Sequence, residues 1–223
     1  MAIGVFMPMA TATQLTANYL GNLLSTGTGS TLSMGSITVG GDGLLVVAVV
    51  GRGNNNAVIS SITVGGNAAT LHRSGSGSSV YARGGIASRE VAAGSHNITV
   101  TLSASQGTPN PALVAYVYLI TNYESATPLT SNAVFSSTGA TSYAMSMAIQ
   151  SGAVAIYAGR IDPGSSSPNW STAEKVDELL VTSASNTLTG VKVNSGGNLA
   201  SHSETLSWTS SSSSNMLVGA VWR

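Results

Sequence analysis

Trp170 stands in the stretch SSSPNWS (165–171), the setting in this chain where an aromatic ring falls among turn-forming residues, with Asn169 beside it and Asp162 shortly before. An exposed indole flanked by an amide is suited to stacking on a glycan or to anchoring a subunit contact, although aromatic side chains more often fill a core. Arg52 and Arg160 form a second set. Each follows a glycine at the end of an apolar run, LLVVAVVGR (44–52) and AVAIYAGR (153–160). A guanidinium there can bind a partner's carboxylate through its fork of donors; the commoner role is to end a buried strand in solvent or on loop carbonyls. These four residues are the candidates for contact with a partner or a glycan.

Catalytic chemistry is thinly supplied. The chain has eight carboxylates and three histidines. Asp42 lies in GGDG and Asp162 in DPG, contexts where Asp bonds nearby backbone amides in turns. Glu174, Asp177 and Glu178 cluster, as solvent-facing carboxylates commonly do. His72, His96 and His202 are scattered, with no HxH or HExxH spacing to bring imidazoles onto one metal. Nucleophile-elbow, phosphate-loop and dinucleotide glycine patterns are all missing from the sequence. With no cysteine, disulfides and thiolate sites are excluded. No catalytic, cofactor-binding or metal-ligating residue is assigned, and the expectation is a protein that is not an enzyme.

Eight basic and eight acidic side chains cancel, so no field steers this chain toward nucleic acid or an anionic membrane. Only 7% of residues are charged, and Ser, Thr, Gly and Asn must supply the wetted surface. So weak a charge gives little colloidal repulsion, which suits a subunit of an assembly. The apolar runs are far shorter than the ~20 residues of a spanning helix. No Lys or Arg precedes Arg52, so the start lacks the positive region of a secretory signal.

The elements that must position these residues read as strands. Runs rich in Val, Ile, Thr and Tyr, bounded by Gly, Asn and Ser, predict strands at 32–39, 44–52, 57–64, 67–73, 78–84, 96–103, 112–121, 142–149, 153–160, 187–193, 203–209 and 215–222. HNITVTLS alternates Ile98, Val100 and Leu102 against polar partners, which predicts one buried face. SITVGGNAATL (61–71) carries a hairpin signal at Gly65 and Gly66. Partial helical spacing at 12–24, and a Ser171 cap with Glu174 three residues on in 171–180, each predict at most one short helix. The second segment reads equally well as a solvated turn or strand rim.

The chain also repeats itself in order. STGTGSTLSMGSITVGGDG (25–43) corresponds to SSTGATSYAMSMAIQSG (136–152), and LLVVAVVGR to AVAIYAGR. SHNITVTLSAS (95–105) corresponds to SHSETLSWTSS (201–211), setting His96 opposite His202, and ALVAYVYL (112–119) corresponds to MLVGAVW (216–222). The predicted fold is therefore all-β: an antiparallel, jelly-roll-like β-sandwich from an internal duplication of two half-sandwiches. Its halves are about 26–122 and 136–223, each supplying one sheet of a single domain spanning 26–223. Two separate small domains are the competing layout. Residues 1–25, with little β pattern, are expected to form an arm against a neighbour.

The combination GDGLLVVAVVGR, ISSITVGGNAATL, SHNITVTL and a closing aromatic strand resembles a loosely defined group of β-sandwich virion proteins of tailed bacteriophages, over about residues 30–223. The resemblance implies a virion component of head-decoration, head-fibre or tail-fibre type, and carries over no catalytic residue. On that reading the chain is a non-enzymatic structural protein assembled in the host cytoplasm. It docks on the major capsid protein or other virion proteins as a cement subunit, and is expected to form homo-oligomers. The alternative is a tail-fibre receptor- or carbohydrate-binding module directed at a cell-surface glycan. A glycan hydrolase ranks last.

Overall fold

The computed structural model describes residues 15–53, 55–77, 82–106, 111–136, 139–161, 168–182, 185–212 and 214–223. Tyr81, Asp162 and the start of the 78–84 run lie outside them.

Continuous apolar runs and alternating runs occupy different layers. In the first half, β1 (Thr16–Ser25), β3 (Gly43–Arg52), β6 (Thr70–Ser76), β7 (Ala82–Val91) and β9 (Ala112–Thr121) form a five-stranded antiparallel sheet in the order β1-β9-β3-β7-β6. The alternating strands β2 (Thr31–Val39), β4 (Ile59–Val64), β5 (Asn67–Ala68) and β8 (Gly94–Leu102) form a second sheet, β2-β8-β4-β5. The β4–β5 hairpin turns on Gly65 and Gly66, whose φ of 57° and 79° would strain any side-chain-bearing residue. With β5 and β6 counted as one strand interrupted at Ala69, β1-β9-β3-β7 faces β2-β8-β4-β5, which is the strand order of a jelly roll.

The second half repeats this plan. Strands β10 (Thr130–Ser136), β12 (Val154–Ile161), β14 (Glu174–Thr182), β15 (Ser185–Val193) and β17 (Asn215–Trp222) assemble as β10-β17-β12-β15-β14. Over them lie β11 (Ala140–Ile149), β16 (Leu199–Ser212) and β13 (Asn169–Trp170), in the order β11-β16-β13. Register supports the correspondence: Ile37 pairs with His96 on β8, and Met147 with His202 on β16.

Each half is thus a complete two-sheet sandwich with its own core. The first holds Leu32, Ile62, Val100, Leu45, Val47 and Val117; the second holds Met145, Ile149, Tyr157, Leu206 and Trp208. A third core joins the inner sheets of the two lobes through Val46, Ala48, Tyr116, Tyr118, Ile156 and Trp222. The layers run outer, inner, inner, outer. Strands β3 and β9 are buried on both faces, which is why their sequences lack alternation.

Across the middle, β3 meets β12, β7 meets β17, β6 meets β10, and β9 meets both β14 and β15. Tyr19 and Asn22 of β1 reach Asp177 of β14. Exchanging the lobes maps β3/β12, β7/β17 with β9/β15, and β6/β10 with β1/β14 onto one another, so the lobes meet about an approximate twofold axis.

Three expectations are corrected. The halves do not each supply one sheet of a common sandwich. Strands β1, β10, β13 and β14 escaped the sequence pattern, and with them each half has enough strands to close its own. Segments 12–24 and 171–180 form no helix over their described residues: 16–25 is β1, bulged at Gly21 with φ 139°, and 174–182 is β14. Edge pairing with β9 and β15 overrides their weak helical spacing. Residues 16–25 consequently belong to a sheet rather than to an arm, while 1–14 lie outside the described residues.

Candidate functional site

Trp170 sits on the two-residue strand β13, paired to Leu206, and only 4% of it is exposed. Its ring lies 5.7 Å from that of Tyr157, tilted by 38°. Glycines make the space: a Cβ on Gly190 would come within 2.7 Å of Trp170 Cδ1 and Nε1. The indole belongs to the second lobe's core, so it offers no stacking face. Neighbouring Asn169 is exposed, and its carbonyl accepts a 3.4 Å hydrogen bond from Ser207 Oγ.

Arg160 is fully buried. Its Nη1 donates to the Ser214 carbonyl and to Ser214 Oγ, both at 2.9 Å, and Nη2 donates to Ser185 Oγ at 2.9 Å. It therefore ties the Ser214 carbonyl and two serine hydroxyls. Arg52, half-buried at the matching end of β3, shares the register of Arg160. Arg52 and Arg160 lie at matching ends of β3 and β12, whereas Trp170 is packed in the second lobe's core.

Titratable groups are placed structurally. Asp42 accepts the amide of Ala93, distant in the chain, at 2.9 Å, so it ties its own turn to the one between β7 and β8 rather than to a neighbouring amide. His96 Nε2 bonds the Ala92 carbonyl at 2.9 Å. His202, its register equivalent, turns instead to Thr172 Oγ1 at 3.0 Å and Glu204 Oε2 at 3.2 Å. Among the described residues, no group of three or more His, Asp or Glu could hold a metal ion.

Two polar clusters went unassigned in the sequence. Glu204, buried on the inner face of β16, accepts from Ser171 Oγ at 2.9 Å and from the Thr172 amide at 2.8 Å through Oε1. Through Oε2 it accepts from Thr172 Oγ1 at 2.6 Å and the Ala173 amide at 3.1 Å. Burial alone would raise its pKa, but the hydrogen bonds from Thr172, His202 and Ala173 outweigh that and hold it below the usual carboxylate value. The group resembles a hydroxyl–imidazole–carboxylate array, yet His202 uses the same Nε2 toward both Thr172 and Glu204. A relay needs both ring nitrogens, so this is a carboxylate clamp on the 171–173 turn. Alternation in SHSETLSW, which puts Glu204 on the face of Leu206 and Trp208, was the available signal.

The other cluster crosses between lobes. Tyr116 donates to Thr187 Oγ1 at 2.8 Å, and Thr187 to the Leu179 carbonyl at 3.3 Å. Tyr118 Oη lies 2.7 Å from Thr189 Oγ1, which donates to the Tyr157 carbonyl at 2.6 Å. Asp177 accepts from Tyr19 and, at 2.7 Å, from Asn22 Nδ2. Burial pushes both Tyr116 and Tyr118 hydroxyls well above their usual range, so they remain donors.

What the fold offers outwardly is two sheet faces. Thr31, Ser33, Ser36, Thr38 and Asn97 are exposed on one, and Ser142, Ser146, Ser203, Ser207 and Thr209 on the other. Glu204 is the only Lys, Arg, Asp or Glu on any strand of these two sheets, and it points inward.

The fold and its surfaces define a tandem pair of jelly-roll sandwiches with uncharged outer faces. No family model and no curated protein matches the sequence. Among solved structures, the chain is similar to one described as the crystal structure of PBCV-1 VP54 fitted into a cryo-EM reconstruction of the virophage Sputnik. Identity is 8%, the match covers 97% of this chain and 95% of that one, and the TM-score is 0.25. At that score the jelly-roll assignment rests on this chain's own strand order.

Proposed function

We propose that this chain is a non-enzymatic structural protein of a virion, and specifically a decoration or cement subunit that docks on the capsid of a tailed phage. The observation that carries the reading is the pair of broad outer sheets, free of charge and built from small hydroxyl and amide side chains on opposite sides of a tandem jelly roll. Docking through such faces desolvates no charge and freezes little side-chain entropy. Jelly rolls also serve widely in viral capsids and in lectins. The partners are the major capsid protein or further copies of this chain; assembly takes place in the host cytoplasm, and function is exercised on the particle.

The test is co-sedimentation of the purified chain with capsids that lack it. Saturable binding lost on placing Lys at Ser33 and Ser203, one on each outer face, is the expected result. Absence of capsid binding, with retention instead on a glycan array, overturns it in favour of a receptor-binding module.

A further inference from the structure

Val193, the last residue of β15, is 47% exposed, although Val191 on the same strand face packs against the interlobe core. Its counterpart across the approximate twofold is covered. Val193 pairs with Val154, which Trp222 flanks on the other side; Ser88 pairs with Val46, which Tyr118 flanks on the other side. Ser88 therefore holds in the first lobe the place that Val193 holds in the second, and it is only 3% exposed. The stretch leading into β10 lies against it. Ser88 Oγ donates to the Ala126 carbonyl at 3.0 Å, Trp222 Nε1 donates to the same carbonyl at 3.3 Å, and Ala126 packs on the interlobe core.

The twofold sets β10, beside β17, in correspondence with β1, beside β9, so the matching stretch is the one leading into β1. Its last residue already follows the pattern. Leu15 is 7% exposed and belongs to the interlobe core. Tyr118 pairs with Tyr19 and bonds Thr189, as Tyr116 pairs with Asn22 and bonds Thr187, so β1 traced backward and β15 traced forward run toward one end of the seam. Four residues along from Tyr19 and from Thr189 stand Leu15 and Val193, and the chain enters β1 on the side of the exposed valine. Residues 1–14 carry no charge and include Ile3, Val5, Phe6, Met7 and Met9, a composition that leaves water without stranding an ion. We infer that residues 1–14 dock over this end of the interlobe seam in their own chain and cover Val193, tying the entry of β1 to the second lobe as Ala126 ties the entry of β10 to the first. Attachment at Leu15 keeps the segment at high effective concentration beside its own Val193, which favours it over the same segment of a second copy. The inference is independent of the capsid reading.

The sequence has no cysteine, so Val193→Cys introduces a single thiol. Its alkylation by iodoacetamide is followed by mass spectrometry in the full chain and in a chain lacking residues 2–13, with Leu24→Cys, at an exposed position near the other end of β1, as the reference. Several-fold slower alkylation of Val193→Cys in the full chain than in the shortened one, undiminished on dilution, is expected, with Leu24→Cys reacting alike in both. Equal rates at Val193→Cys overturn the inference, and so does a parallel change at Leu24→Cys, which would show an effect not confined to this end of the seam. Protection that vanishes on dilution overturns it by assigning the segment to a second copy. Should the shortened chain not fold, Val5→Lys with Met7→Lys in the full chain takes its place: the thiol reacts faster if the segment docks through its apolar residues, and at an unchanged rate if it does not.

Discussion

Tyr118 of the first lobe and Thr189 of the second share a buried hydrogen bond of 2.7 Å across the interlobe core, and Thr189 passes the chain on to the Tyr157 carbonyl. At the place related by the approximate twofold stand Trp222, equivalent to Tyr118, and Gly84, equivalent to Thr189. The contact is a side-chain hydrogen bond between lobes on one side of the axis; on the other, Trp222 donates its Nε1 to the Ala126 carbonyl at 3.3 Å instead. An interface so biased favours lobe one against lobe two over either lobe against its own kind, because a mismatched pairing leaves a hydroxyl unsatisfied.

Tyr118→Phe removes that donor without changing the packed ring. The expected loss is about 1 kcal/mol, with Thr189→Val of similar size and a double variant that falls short of their sum. Urea denaturation of all four proteins gives the coupling energy; strict additivity would show that the two hydroxyls do not interact.

Glu204→Gln places an amide where amide and hydroxyl donors converge, so a cost of about 2–3 kcal/mol is expected. Since the folded pKa lies below the unfolded value of about 4.5, the carboxylate's contribution is complete above that pH and disappears as pH falls through the depressed value. Acid unfolding of the wild type shows this dependence, and Glu204→Gln flattens it.

His72 adds a second acid-sensitive contact. It bonds Ser88 Oγ at 2.7 Å and packs edge-on to Trp222 at 6.0 Å, and burial lowers its pKa from 6.5. With a depressed folded value, protonation favours the unfolded chain. Stability is full above 6.5 and declines as pH drops below it. Following the His72 ring by NMR titration places its pKa below that of His in an unstructured peptide.

Trp170→Ala empties space between the sheets of the second lobe. A loss of about 3–5 kcal/mol is expected from the deleted ring and the cavity it leaves. Thermal unfolding measures it; a neutral effect would mean that the indole does not pack as described. Gly190→Ala approaches the same fault from the other side, by forcing a methyl against the indole.

The hairpin at Gly65 and Gly66, the alternation of β2, β8, β11 and β16, and the unbroken runs of β3 and β9 were all legible, because strand periodicity and turn chemistry are local. The likeness of the halves read from the sequence has a counterpart in sheet order, β1-β9-β3-β7-β6 beside β10-β17-β12-β15-β14. Other features depend on partners distant in the chain. The strand β1 carries partial helical spacing, and only pairing with β9, eased by the Gly21 bulge, makes it extended. The charged β14 reads as a solvated rim until β15 claims one edge of it and Asp177 meets Tyr19. Trp170 looks like a loop aromatic because nothing in SSSPNWS says that Gly159 and Gly190 leave room for its ring.

By itself, then, the sequence determined an all-β chain, with some strands buried on one face and others on both. The tertiary structure decided that each half closes its own sandwich and that the two inner sheets stack back to back. The physical reason is that an apolar strand face specifies burial but not the sheet that buries it. That choice is made by shape and by a few polar contacts, among them Tyr116 with Thr187 and Tyr118 with Thr189, that exist only once the lobes have met.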